Sequence, residues 1–266
     1  MIRGNQVGWG STQVVLALTL GVALLAGFLA WEMRTATPML PLRFFRNRTF
    51  TAANVTSMLM SFGMFGSIFL LTQFLQTAQH YSPLQAGLRV LPWTAMPLIV
   101  APIAGLLSDR IGGRPLMATG VALQSAALAW LAAVSSATVP YSSLVGPFII
   151  AGIGMGLFFA PVANVVLGSV RSEEEGQASG ANNAIRELGG VFGVAVLASI
   201  FTHYGSYQTS QTFVNGLTPA VYVGAAVVAV GAIAALFIER RRHPATAGAP
   251  AGAGRPALVE PAFETA

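Results

Sequence analysis

The chain has 266 residues, of which 54% are hydrophobic and 9% charged, and its mean hydropathy is +0.66. Soluble domains carry roughly 25% charged residues, so lipid must cover much of this surface and a wholly water-facing protein is excluded. The absence of cysteine excludes a disulfide scaffold, a Cys-ligated zinc site and a thiol nucleophile.

Seven apolar runs follow one another, each near the ~20 residues a helix needs to cross the hydrocarbon layer. They are Gln13–Trp31, Phe50–Leu75, Leu84–Leu107, Pro115–Val134, Ser143–Val170, Asn183–Tyr204 and Leu217–Ile238. One such run can be a buried soluble helix, but seven in succession predict an all-α bundle of about seven membrane spans. The first run follows the polar stretch Met1–Ser11, whose only charge is Arg3, and ends in Trp31-Glu32-Met33-Arg34. That flank suits the membrane interface rather than a cleavage site, so the run reads as a retained span.

All basic residues are Arg, and the net charge is +5. Arg34, Arg43, Arg46 and Arg48 lie between spans one and two, Arg110 and Arg114 between three and four, and Arg171 between five and six. Arg240, Arg241 and Arg242 follow the last span. Alternating spans put all of these on one side, while the opposite loops His80–Pro83, Ser135–Tyr141 and Gly205–Gly216 hold no Arg. The positive-inside rule then predicts a multi-pass protein of the cell membrane, with an outside N-terminus and a cytoplasmic C-terminus. It also accounts for the basic balance without nucleic acid. An odd span count and an outside N-terminus lead to the expectation that further helices precede this chain. The expected division is 1–12 extracytoplasmic, 13–49 an extra span with a basic loop, 50–242 a six-helix domain, and 243–266 a disordered tail rich in Ala, Gly and Pro.

Polar groups at membrane depth are costly and often functional. Asn54, Gln73, Asn164 and Asn183 are candidates to line a substrate cavity, together with the soft apolar positions Met58, Phe62, Phe65, Phe69 and Phe158. Met60, Met64 and Phe74 extend that soft stretch; thioethers and rings adapt to varied ligands, though the same residues also suit core packing. Arg89, Arg186 and Glu187 are candidates for charge coupling. Arg186 and Glu187 are adjacent and diverge by about 100° on a helix, so Glu187 is expected to reach back towards Asn183. That cluster faces a cavity or caps a helix at the interface. Gly152, Gly156, Gly189, Gly190 and Gly193 serve static packing or act as hinges. Glu173-Glu174-Glu175 reads as a solvated loop start. His80, His203 and His243 stand alone, so no metal site and no cofactor is expected, and no His cluster or carboxylate pair points to an enzyme.

The loop between spans three and four reads Gly105-Leu-Leu-Ser-Asp109-Arg110-Ile-Gly112-Gly113-Arg114. Gly105 permits close helix approach, Asp109 offers a charge to a partner, Gly112 and Gly113 make a tight turn, and Arg110 and Arg114 hold the turn at the inner face. This resembles the signature cytoplasmic loop of the major facilitator superfamily. Pro38-Met-Leu-Pro-Leu-Arg43, Phe69-Leu-Leu-Thr-Gln-Phe-Leu-Gln76, Tyr81-Ser-Pro-Leu-Gln-Ala-Gly-Leu-Arg89-Val-Leu-Pro92 and Arg186-Glu-Leu-Gly-Gly190 are similar to its fourteen-span drug:proton antiporter branch, over about residues 1–240.

The resemblance implies the last seven of fourteen spans: one extra helix followed by the C-terminal six-helix domain. Spans two, three, five and six would face a central cavity that an N-terminal half completes. Gly105, Asp109, Arg110, Gly112, Gly113 and Arg114 would form a conformational switch loop, and Gly189, Gly190 and Gly193 would stand where the antiporter glycines fall. The function implied is proton-coupled efflux of small lipophilic compounds by alternating access. The alternative is a non-transporting half that packs with another membrane protein.

Overall fold

A computed structural model describes residues 11–35 and 38–239. The expectations for residues 1–10, for Arg240–Arg242 and for the tail 243–266 lie outside the described residues.

Among the described residues eight α-helices form seven long apolar rods: α1 (Thr12–Glu32), α2 (Arg48–Gln73), α3 (Pro83–Thr94), α4 (Met96–Ile111), α5 (Gly113–Val134), α6 (Tyr141–Leu167), α7 (Glu175–Tyr204) and α8 (Ser210–Ala235). No strand occurs among the described residues. Helices are the form that satisfies backbone N–H and C=O groups within a lipid-embedded segment.

Local chemistry fixes the ends. Asn47 caps α2 by accepting hydrogen bonds from the backbone N–H of Thr49 at 2.9 Å and of Phe50 at 3.3 Å. Ser82 and Gln85 form a reciprocal capping box at the start of α3, with Pro83 at the first helical position; Thr209 and Thr212 do the same for α8. Two helices start earlier than their apolar runs suggest. α7 begins at Glu175 rather than Asn183, and α8 at Ser210 rather than Leu217. In both, a polar first stretch hides helix that tertiary packing stabilises. α2 ends in one π-helical turn, Phe74–Ala78.

The third run is two helices, not one. Pro97 has no N–H for the Trp93 carbonyl, and the chain breaks at Ala95. The freed carbonyls face α6: a Cβ added to Gly152 would meet Trp93 O at 2.5 Å and Pro92 O at 3.0 Å. Gly156 takes Val100 in the same way, at 2.7 Å from its Cβ.

α2 is the central helix, packed mainly against α7 and α8. Its contact with α7 is backbone on backbone. A Cβ on Gly193 would strike the Phe62 carbonyl, one on Gly189 the Met58 carbonyl, and one on Gly66 would lie 2.8 Å from Gly193 O. α5 joins α6 through Gly120 and Gly154, where an added Cβ would meet the other's carbonyl oxygen at 2.7 and 2.5 Å. The core between these contacts holds Phe50, Met60 and Met64 of α2, Phe74 of the π-helical turn, Leu128 of α5, Phe158 of α6 and Phe213 of α8. Met60, Met64 and Phe74 are therefore core, as one helix face must be.

α1 stands apart, with only Val14 and Glu32 buried. Glu32 does not simply flank the span: its Oε2 accepts from the Leu40 N–H at 2.9 Å, which fixes the turn into the next segment.

A branched side chain at Gly193 has no room, so Gly193→Val should lower unfolding stability in detergent by more than about 2 kcal/mol. Gly105 has nothing within 4 Å of its Cβ position. Gly105→Ala should leave this chain's stability unchanged or raise it by up to about 1 kcal/mol. Thermal and denaturant unfolding of both variants measure the difference.

Candidate functional site

The arginine-bearing turns meet at one end of the bundle. A cavity of about 460 Å³ there is lined by Thr49, Ser108, Asp109, Gly112, Gly113, Arg114, Asn164, Glu175 and Glu239, among others. It gathers the ends of α2, α4, α5, α6, α7 and α8. Gly112 turns the chain between α4 and α5 at φ 84°, a conformation other residues rarely adopt. Gly113 does different work, because a Cβ there would strike Val165 of α6. The sequence assigned the turn to both glycines, whereas only Gly112 bends the backbone and Gly113 admits α6. Among the described residues Asp109 has no ion-pair partner, and Gly105 one turn earlier has no neighbour. The close approach expected at Gly105 is absent among these helices, because its face of α4 points away from them. Asn164, expected in a substrate cavity, instead lines this end cavity; it sits in the last turn of α6, beyond the level of the apolar stripe.

Beside this cavity lies an ionic node that the sequence reading missed. Glu174 pairs with Arg43 and, at 2.8 Å, with Arg171, and its side chain is only 12% exposed. The hydrogen bond from Arg171 to Glu174 raises the Arg171 pKa above its ordinary value. Glu174 is thus not a solvated loop residue. Two further bonds fasten the same segment: Asn47 Nδ2 to Ser169 O at 2.9 Å and Gln177 Nε2 to Pro38 O at 3.1 Å. Together they tie the α1–α2 connection to the α6–α7 turn. The signal for them was oppositely charged loops, which spacing alone does not pair.

The proposed cavity residues divide. Met58, Phe62, Phe65, Phe69 and Gln73 recur at spacings that share one face of α2. Met58, Phe62 and Gln73 are half-buried, and Phe65 and Phe69 are each 39% exposed. At the far end of the stripe Tyr207 OH donates to Gln73 Oε1 at 2.8 Å. Partial burial of Tyr207 against Phe201 and Phe213 raises its phenol pKa above the ordinary value. Asn54 and Phe158 do not belong to the stripe. Phe158 is fully buried in the core, edge-on to Phe159. Asn54 is 1% exposed; its Nδ2 donates to Phe50 O at 2.8 Å, and its Oδ1 accepts from Asn182 Nδ2 at 3.0 Å. Asn182 also reaches Ser57 Oγ at 3.0 Å, so it clamps α7 to α2. A buried amide needs such partners, which is why Asn54 turns inward.

Asn183 lies on the open side of α7 and accepts from Arg186 Nη2 at 2.7 Å. Arg186, not Glu187, reaches back one turn. Its guanidinium stands 5.5 Å over the Phe159 ring, and Glu187 Oε1 approaches it only to 3.8 Å. Phe159, Asn183 and Arg186 border a crevice of about 160 Å³ between α6 and α7. Because α7 starts at Glu175, the cluster lies two to three turns inside the helix rather than at its cap. Gly190 faces Phe65, whose ring a Cβ added there would meet at 2.8 Å. Arg89 is remote from all of these, near the opposite end of the bundle.

Asn182→Leu should lower stability by about 1–2 kcal/mol, because it removes two interhelical bonds and orphans the Asn54 carbonyl. Asn183→Ala, on the open side, should cost less than about 0.5 kcal/mol. Equal costs in an unfolding titration would overturn the division between clamp and open face.

The sequence pattern of the Major Facilitator Superfamily matches residues 4–193 and 53–265. The chain is 36% identical over 203 residues to Multidrug resistance protein Stp of Mycobacterium tuberculosis, covering 75% of this chain and 37% of that protein. It is 31% identical over 202 residues to the Tetracenomycin C resistance and export protein of Streptomyces glaucescens, covering 74% and 36% respectively. With Multidrug export protein EmrB of Escherichia coli it shares 27% identity over 210 residues, covering 79% and 41%. The chain thus spans well under half the length of these curated relatives.

Proposed function

We propose, from the premise that the chain belongs to the Major Facilitator Superfamily, that it supplies one helical domain of a secondary transporter that expels small lipophilic compounds. The observation that carries this reading is the stripe on α2. α2 is the most buried of the long helices, yet Phe65 and Phe69 stay partly exposed. Beside them run Asn183 and Glu187 on the open side of α7. An aromatic and thioether surface with a few polar groups at its edge suits bulky, varied, largely apolar ligands. The relatives named for drug resistance and export support the same direction.

In this reading the stripe is half of a cavity that a second bundle completes, and the two bundles rock about it. Gly105 and Asp109, which no described residue covers or pairs with, suit the approach of that second bundle at the arginine-bearing end. Helices α2 to α8 form the transporter domain and α1 an added span. The arginine-bearing end faces the cytoplasm, as the charge bias favours. Glu187 is the one carboxylate among the described residues that lies well inside an apolar helix, so it is the group this chain offers for proton coupling.

Dye efflux from cells that express the complete gene product tests the reading. Phe65→Ala with Phe69→Ala, and separately Asp109→Asn, should each slow efflux at least about tenfold without lowering the amount in the membrane. Undiminished efflux in the phenylalanine variant would remove the stripe from the substrate path. No efflux from the unaltered protein would favour a non-transporting partner of another membrane protein.

Glu187→Gln should flatten the pH dependence of efflux while leaving membrane insertion intact. An unchanged pH profile would place the coupling proton elsewhere.

A further inference from the structure

Among the described residues Arg89 has no ion-pair partner, and no other described arginine shares its end of the bundle. Arg89 lies on α3 at the end opposite the arginine-bearing turns, about 9 Å along the helix from Pro83 at 1.5 Å per residue. Its guanidinium carbon stands 3.7 Å from the centroid of the Tyr81 ring and 5.2 Å from that of Tyr141. The Tyr141 hydroxyl donates to the Arg89 carbonyl at 3.0 Å, which fixes the ring beside the charge. Nε of Arg89 is buried with no hydrogen-bond partner, and no described residue accepts a hydrogen bond from the guanidinium. The described carboxylates lie elsewhere. Glu32, Asp109, Glu173, Glu174, Glu175 and Glu239 are at the other end, and Glu187 is three turns into α7. The two rings soften the desolvation of the charge, but they accept no hydrogen bond in the plane of the fork.

On the same helix Leu84, Leu88 and Leu91 share a face and are 73%, 55% and 47% exposed. That face is apolar without interruption for two turns, as acyl chains require. Arg89 stands at its flank, at the depth from which a long basic side chain reaches headgroups. The guanidinium fork matches the geometry of a phosphate diester better than that of any neutral group.

We propose that Arg89, framed by Tyr81 and Tyr141, is a binding site for the phosphate of a phospholipid in the leaflet at that end, with the acyl chains along Leu84, Leu88 and Leu91. The lipid supplies the counter-charge that the described residues do not. Its favoured form carries net negative charge, because a zwitterionic headgroup brings its own cation to the phosphate. The site is separate from the α2 stripe and does not depend on transport.

The test uses the complete protein in nanodiscs of either phosphatidylcholine alone or phosphatidylcholine with phosphatidylglycerol, and native mass spectrometry after mild detergent extraction. The unaltered protein should retain phosphatidylglycerol, and Arg89→Gln should weaken that retention about tenfold, the loss expected for charge-assisted hydrogen bonds. Arg89→Lys, which keeps the charge but not the fork or the ring stacking, should fall between them. Equal retention by Arg89→Gln overturns the proposal. Should that variant not fold, the unaltered protein still decides. Its thermal midpoint should rise when phosphatidylglycerol is added to phosphatidylcholine, and an unchanged midpoint overturns the proposal, as it would if a carboxylate from another protein segment already neutralised Arg89. Inorganic phosphate at matched concentration should give no such rise; an equal rise would mean that the site takes a free anion, and the lipid assignment would fail.

Discussion

Backbone-to-backbone approach at glycine is the constraint on which this bundle depends. Lipid is as apolar as the side chains, so burial against lipid drives helices together weakly, and close packing must hold them. Gly189 and Gly193 bring α7 onto the carbonyls of Met58 and Phe62, and Gly66 receives α7 in return. Only with α7 so close can Asn182 reach Asn54 and Ser57. Gly63 and Gly224 perform the same service between α2 and α8. α2 is then enclosed on all sides but one, and the uncovered side is the stripe from Met58 to Gln73.

The two ends of the bundle are built by different chemistry. At the arginine-bearing end, ion pairs and side-chain amide hydrogen bonds fasten loops to each other: Arg43 and Arg171 to Glu174, Asn47 to the Ser169 carbonyl, Gln177 to the Pro38 carbonyl. The motif loop stands beside this fastened region but is not part of it, since Gly105 and Asp109 have no partner there. At the opposite end, rings and hydroxyls do the fastening, with Tyr207 on Gln73 and Tyr141 on the Arg89 carbonyl. Among the described residues the first end holds the ion pairs of Glu174, and the other holds Arg89 between two tyrosine rings with no ion-pair partner.

Proline and glycine act together in the third rod. Pro97 withdraws an N–H from the Trp93 carbonyl, and Gly152 lets α6 come against that carbonyl. The break at Ala95 leaves α3 and α4 as shorter pieces pressed on α6 by its glycines. Either proline or glycine alone reads in the sequence as a flaw in an apolar run; their pairing across two helices is visible only in three dimensions.

The sequence by itself determined seven apolar rods, their approximate limits, and the gathering of Arg at alternate connections, because hydropathy and charge act locally and need no partner. It also determined the Gly112 turn, since a motif of fixed spacing carries its own backbone demand. It misjudged where α7 and α8 begin, because polar residues in a helix held by its neighbours carry no apolar signal. Which polar residues face inward was decided by the tertiary structure alone. Asn54 and Asn183 look alike in sequence, yet one is locked to Asn182 and the other lies open, and Glu174 differs from Glu173 only by the arginines folding brings to it. Counter-charge and burial are properties of pairs distant in the chain, so they exist only once the helices have met.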